Sequence, residues 1–389
     1  MLSQRMTRRI FLAATSASLA SPAAGLEARS DQSRQPRSGP PDRAGDRAYP
    51  PDGEPFPGRA GNPVGFAAAP RFPGHLMPWP GGSFQDGTSQ KPTVYSFFDF
   101  DAGKHGTRVN GSHIKFVGCR FQSNSLDDFN VQCDSAKEVS FHYCSFTPRA
   151  TLYNRPPGGS WPSAAAGAQT IKQVRNVNCI DGRSAYQYGL NIQGIGPILV
   201  DHCDFWGFGN GGPLFYSTTA QIMVRDCWIH DACDEDPQGY HIDGTGYVNG
   251  GTPPSHITID HCTIASLGNT NALAFQTATS PYHHILVTRN YFSGFGICVD
   301  MCHGVSGSNN LRFEGNTFGT DIPWKYFPVY GNPTVLFSRA NPTNIWKGNR
   351  LRVLPGTSPI VEAGFVWVAA QDGYFIWPNN TLHRVDYAG

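Results

Sequence analysis

The chain of 389 residues contains no run of eighteen or more apolar residues, so no segment has the length of a membrane-spanning helix. Neither sign of charge dominates. Thirty Lys and Arg against 29 Asp and Glu leave a net +1, which gives no basic field for nucleic acid and no acidic tail. Helix signals are thin: Met occurs five times and no heptad run exists, which excludes a coiled coil or helical bundle. What is abundant is glycine (44), proline (31) and aromatic residues (12%), the composition of a turn-rich, extracytoplasmic all-β protein.

Thr7-Arg8-Arg9-Ile10-Phe11-Leu12 is followed by an Ala/Ser-rich apolar stretch and small residues near Ala23 and Ala24. This is the layout of a signal peptide over 1–24, with the paired arginines of a bacterial twin-arginine signal. The expected location is therefore periplasmic or secreted. Residues 25–90 are rich in Pro, Gly, Arg and Asp without any period, and read as a disordered linker.

From residue 113 onward one pattern recurs: apolar, any, apolar, two residues, Cys or Asn, any, apolar. Instances are Ile114-Phe116-Cys119-Phe121, Val139-Phe141-Cys144-Phe146, Ile198-Val200-Cys203-Phe205, Ile222-Val224-Cys227-Ile229 and Ile257-Ile259-Cys262-Ile264. Asn replaces Cys in Ile285-Val287-Asn290-Phe292, Leu311-Phe313-Asn316-Phe318 and Trp346-Asn349-Leu351, and a weaker copy ends at Cys179. The alternation is that of a half-buried strand, and a period of about 24 residues of β type means a solenoid. The expected fold is all-β: a single-stranded right-handed parallel β-helix of about nine to eleven coils over 91–351, with a C-terminal cap over 352–389. Stacking puts Cys119, Cys144, Cys179, Cys203, Cys227 and Cys262 in one inward ladder, continued by Asn290, Asn316 and Asn349. These cysteines are expected as free thiols; pairing of Cys298 with Cys302 stays open.

The chain resembles the pectate-lyase-like superfamily of right-handed β-helices over roughly 91–350. Ile198-Leu199-Val200-Asp201-His202-Cys203 is similar to the strand-turn segment with an Asp-His pair found in pectate lyases, and Ile257-Thr258-Ile259-Asp260-His261-Cys262 repeats it. The resemblance implies the fold and a polysaccharide substrate. Pro213-Leu214-Phe215-Tyr216-Ser217 stands where those lyases carry a calcium-binding aspartate.

A second strand precedes each anchor strand. Aligning their apolar centres gives two outward columns: Asn130, Asn191, Phe215, His241, Ala274, Cys298, and Gln132, Gln193, Ser217, Asp243, Gln276, Asp300. Amides and hydroxyls in these columns suit sugar hydroxyls, so Asn191, Gln193, Ser217 and Gln276 are candidate substrate-binding residues. Tyr240 and Trp206 add ring faces for stacking on sugars. His241 and Asp243 fall on one strand face about 6–7 Å apart, and Asp300 lies roughly 9.6 Å further along the stack. Two carboxylates at that separation suit an inverting glycosidase; in a lyase His241 would instead take the sugar C5 proton. A turn cap before Gly244 is the plain alternative for Asp243. Asp231, Asp234 and Asp236 are a candidate calcium site, the one cofactor suggested, with a solvated acidic turn as the alternative. Turn residues Asp201, Arg225, Asp260 and His202, Asp226, His261, Arg289 alternate in charge between coils and read as an ion-pair ladder that fixes register.

Three functional classes follow. The first is a polysaccharide-cleaving enzyme with His241, Asp243 and Asp300 as its catalytic set, working by hydrolysis or β-elimination. The second is a carbohydrate-binding or surface-structural rod. The third is a polyuronate epimerase. The sequence leaves the oligomeric state open.

Overall fold

The chain divides into residues 1–44 and 45–389. A computed structural model describes residues 56–58, 62–102, 106–123, 129–148, 179–180, 183–184, 186–216, 221–230, 232, 243–247, 252–266, 270–275, 278–295, 297–302, 305–319, 334–337, 341–352, 360–361, 365–368 and 373–376, all in the second unit. The expected signal peptide lies outside the described residues.

Each coil contributes one strand to each of three sheets, met in the order first, second, third. One coil, for example, runs through Phe129–Asp134, Lys137–His142 and Ser145–Pro148. Among the described residues the first sheet has 10 strands, the second nine and the third 11. Successive coils pair in parallel throughout, as in Ile198↔Ile222 and Ile222↔Ile257 of the second sheet. The fold is a right-handed parallel β-helix, as the repeat implies. At the C-terminal end the pairing turns antiparallel. Gly373–Ile376 lies against Thr334–Phe337 of the first sheet, and Ile360–Val361 against Arg350–Arg352 of the third.

Alternate residues of every strand point inward, and the core is built of like-on-like stacks. Phe100, Phe121, Phe146 and Phe205 follow one another at ring separations of 4.7, 5.3 and 4.3 Å. Trp79 plugs the first coil, its ring 5.4 Å from Tyr95 and 5.1 Å from Phe100.

The corner between the second and third sheets is two residues long. Its first residue takes a left-handed backbone in coil after coil: Gly118, Tyr143, His202, Asp226, His261, Arg289, Gly315 and Gly348, with φ from 51° to 65°. That conformation costs a non-glycine residue about 1–2 kcal/mol. The next residue is the anchor, and it offsets that cost with hydrogen bonds. Sγ of Cys203 accepts the backbone N–H of Cys144 (3.4 Å), and Sγ of Cys227 that of Cys203 (3.4 Å). Oδ1 of Asn290, Asn316 and Asn349 does the same for Cys262 (2.8 Å), Asn290 (2.9 Å) and Asn316 (3.0 Å). Anchors also donate to a carbonyl of the preceding coil, as Cys227 to Val200 (3.6 Å) and Asn290 to Ile259 (2.9 Å). Cys and Asn interchange in the repeat because both are small side chains that accept and donate at one point.

The eight cysteines whose side chains are described are free and buried, Cys298 and Cys302 included. Burial pushes the thiols of Cys144, Cys227, Cys298 and Cys302 well above the ordinary thiol range. Iodoacetamide at neutral pH is therefore expected to add to none of these eight in the native protein, and to all of them after denaturation without reductant. Mass spectrometry reads the count, and rapid native labelling of a ladder cysteine would contradict the packing.

Part of the segment expected as linker is docked. Thr263 Oγ1 donates to the Pro57 carbonyl (2.7 Å), and Gly65 N–H to the His202 carbonyl (2.9 Å). Phe56 packs 5.2 Å from the Tyr291 ring, Arg120 lies over Phe66 and Phe72 meets Phe97 at 6.0 Å. Residues 56–58 and 62–72 thus lie as a strap along the third sheet, from the coil of Tyr291 back to that of Phe97. Composition misled here: Pro, Gly and Ala are too small to signal burial, yet Val64, Phe66 and Ala69 are buried in the strap. At Gly58 a Cβ would lie 2.6 Å from the Trp228 ring, so the close approach needs glycine.

Candidate functional site

Register fixes which first-sheet residues share an outward column. The pairs Arg108↔Gln132, Gln132↔Asn191, Asn191↔Leu214, Leu214↔Gly246, Gly246↔Ala274 and Ala274↔Asp300 define it. Asn191 and Asp300 therefore share a column, as do Gln132 and Asn191, which the sequence had placed in neighbouring ones. Asp243 leaves the column altogether. It bridges to Gly211, three residues short of the Leu214↔Gly246 pair. Asp243 and Asp300 are then two coils and three residues apart, about 14 Å by strand geometry. The expected carboxylate pair is not formed. The cause is local: the described strand is Thr245–Tyr247, and it passes through Gly246 at φ 133°.

Asp243 is 0% exposed. Its Oδ1 accepts from Thr270 Oγ1 (2.7 Å), Asn271 N–H (3.0 Å) and Asn271 Nδ2 (3.2 Å), so it anchors the start of the strand Asn271–Phe275. Beside it stands a pair of half-buried tyrosines. The Tyr188 and Tyr216 rings lie 6.1 Å apart, edge to face, and Asn210 Nδ2 donates to Tyr188 Oη (3.0 Å). Burial, then the neighbouring Tyr188 and Asp243, raise the Tyr216 phenol well above its ordinary range. Tyr216 thus holds its proton more firmly than a free phenol does. The alternation did not reveal it, because the sequence alignment had turned Tyr216 inward. Phe215, which pairs with Ile192, takes that place.

Asn191 and Asp300 are buried, and Gln193 is half-buried with its Nε2 3.4 Å from Asn191 Oδ1. Trp206 is in the third sheet, 1% exposed, and so stands away from these residues. His241, Tyr240, Ser217, Gln276, Asp231, Asp234 and Asp236 lie outside the described residues. Near Arg108, at the start of the column, an open hollow of about 670 Å³ is lined by Gln85, Asp86 and Asn110 among others.

Two further clusters carry titratable groups. On the outside of the third sheet, buried His230 Nε2 meets Asp204 Oδ1 at 2.8 Å, with Trp228 stacked on the imidazole at 3.5 Å. At the corner between the second and third sheets the charge ladder is present. Arg225 Nε donates to Asp201 Oδ1 (2.9 Å), and Arg289 Nε to Asp260 Oδ1 (2.8 Å). Burial alone would raise the Asp201 carboxyl. Hydrogen bonds from His142, His202 and Arg225 outweigh it and hold the group far below the usual carboxylate range.

Among the described residues of the first sheet there is no group of three metal-capable side chains to hold the calcium that the resemblance implies, and Asp231, Asp234 and Asp236 are not among them. Among the described residues the group of three metal-capable side chains is Asp201, His202 and Asp226, at the corner. No described helix is long and apolar enough to cross a membrane.

No family model matches the chain, and no curated protein matches it by sequence. Among solved structures it is similar to the crystal structure of pectate lyase Pel9A, at 11% identity and a TM-score of 0.39, over 75% of this chain and 69% of that one.

Proposed function

We propose that this chain is an exported polysaccharide-active protein that cleaves glycosidic bonds of an extracellular or cell-envelope glycan along its first sheet. The observation that supports this reading is the edge-to-face Tyr188–Tyr216 pair beside buried Asp243, two phenols brought together in a half-open setting. β-Elimination is favoured over hydrolysis, because carboxylates about 14 Å apart by strand geometry exceed the separation that either hydrolytic pair uses.

In this reading a base removes the proton on C5 of a uronate ring. The C–H electrons form the C4–C5 double bond, the C4–O bond breaks, and Tyr216 gives its proton to the departing glycosidic oxygen. His241, two residues before Asp243, is assigned as the base. Asp243 positions the strand and Tyr216 without touching substrate. Asn191, Gln193, Ser217, Gln276 and Asp300 meet the sugar. The alternative of a binding rod draws on Leu214, Gly246 and Ala274, which leave the centre of the outward column without polar groups.

Incubation of the protein with a panel of glycans, with and without a chelator, tests this. New reducing ends together with the ultraviolet absorbance of unsaturated uronates are expected, and Tyr216→Phe should slow turnover about a hundredfold or more. Reducing ends without that absorbance would replace elimination by hydrolysis. Binding of one glycan with no product from any would overturn the catalytic reading in favour of the rod.

A further inference from the structure

At the corner between the second and third sheets, imidazoles and carboxylates of the same and of adjacent coils meet through their coordinating atoms. His142 Nδ1 is 3.0 Å from Asp201 Oδ2, and His202 Nδ1 is 2.9 Å from Asp201 Oδ1. One coil on, His261 Nδ1 is 2.6 Å from Asp226 Oδ1. Asp201, His202 and Asp226 each present a ligand atom within 4.8 Å of the others. We propose that this corner binds one divalent transition-metal cation of the zinc class, held by Asp201, His202 and Asp226, with His142 and His261 as flanking imidazoles.

Three features carry this. The first is rigidity. His202 N–H bonds the Arg225 carbonyl (3.1 Å), Asp226 N–H that of Asp260 (3.1 Å) and His261 N–H that of Thr288 (3.0 Å). The donors therefore sit on paired backbone rather than on a loose loop, and the His202 ring is stacked on Tyr143 at 4.6 Å. The second is donor type. Imidazole nitrogen with carboxylate oxygen suits zinc-class ions, whereas calcium takes oxygen alone. The third is spacing. Two ligands at about 2.1 Å in a tetrahedral site lie about 3.4 Å apart, and the ligand atoms of Asp201, His202 and Asp226, all within 4.8 Å of one another, need only a small closing movement to reach that spacing.

The competing occupant is in the chain itself. Arg225 lies on Asp201 with Nε 2.9 Å from Oδ1, and its side chain is 43% exposed, so it can swing into solvent. A pure ion-pair ladder and a metal site make opposite demands on it. In the ladder Arg225 is a partner; in the metal site it is a rival positive charge.

Zinc is titrated into the untagged, chelator-treated full chain by calorimetry. The cobalt(II) absorption spectrum serves as a second readout, because bound thiolate would show a charge-transfer band that nitrogen and oxygen ligands lack. One equivalent is expected to bind without the thiolate band. His202→Ala and Asp226→Asn should weaken it at least about tenfold, and Arg225→Gln should tighten it about tenfold by removing a unit charge a few ångströms away. A thiolate band, equal affinity in Asp226→Asn, or weaker binding in Arg225→Gln would overturn the proposal. So would no binding to the full chain, with Arg225→Gln merely lowering the unfolding temperature. Circular dichroism of each variant before titration separates lost ligands from lost fold.

Discussion

Asn316→Ala is expected to lower the unfolding free energy by about 4 kcal/mol, read as an earlier denaturant midpoint for loss of the C-terminal coils. Asn316 is fully buried. Its Oδ1 accepts from Asn290 N–H (2.9 Å) and Asn290 Nδ2 (3.0 Å), while its Nδ2 donates to the carbonyl of Val287 (3.0 Å) and to Asn349 Oδ1 (3.1 Å). Alanine strands a backbone donor and a backbone acceptor in the interior, each at about 1–3 kcal/mol, and interrupts an amide chain whose members polarise one another. Asn316→Cys should recover about half the loss, since sulfur takes both roles at Cys203 and Cys227. An alanine variant as stable as the parent would mean that the ladder is decoration rather than support.

Gly246→Ala is expected to cost about 5 kcal/mol and to reduce soluble yield sharply. A Cβ there would stand 1.9 Å from the Ala274 carbonyl oxygen and 2.7 Å from its carbon, both backbone atoms of the next coil, at φ 133°. The backbone strain is about 1–3 kcal/mol, and forcing two coils apart adds about as much again. Gly315→Ala is the control. Its φ of 63° is also left-handed, but nothing lies within 4 Å of the new Cβ. Tyr143 and His202 already occupy the equivalent corner, so a loss of only about 1 kcal/mol is expected. Equal losses in the two variants would show that conformation, and not the contact with Ala274, sets the cost.

The repeat made the fold legible because every coil writes its inward residues at the same offsets. Ile198 and Val200 pair with Ile222 and Val224 as the spacing requires, but on the other side with Val139 and Phe141 of the Cys144 coil, so the copy ending at Cys179 is no rung of the ladder: Cys179–Ile180 pairs antiparallel with Arg183–Ser184 instead. The second and third sheets were therefore readable. The first sheet was not, because its strands carry no anchor and its register depends on loop lengths. Between Leu214 and Gly246 the chain places 31 residues with glycines at 239 and 244, and a side-chain period says nothing about how many of them fall in the loop. Hence Asp243, expected outward, is a buried strand anchor, and Tyr216 was passed over. At the corner the alternation of charge was visible, but the meeting of His142 with Asp201 needed coils 59 residues apart to be brought together.

The strap changes how such a stack comes apart and comes together. Stacked coils touch only their neighbours, so a bare solenoid can peel from either end one layer at a time. Thr263 holds Pro57 across 206 residues of sequence, so the first coil cannot leave without also unlatching from the coil of Thr263. The strap thus acts as a bolt through otherwise separable layers, and it makes unzipping from the N-terminal side cooperative. It also sets a timetable. Pro57 is made long before its partner and cannot lock until the chain has been made past Thr263. An early segment is thereby among the last to close, and a truncated product would carry an unfastened strap.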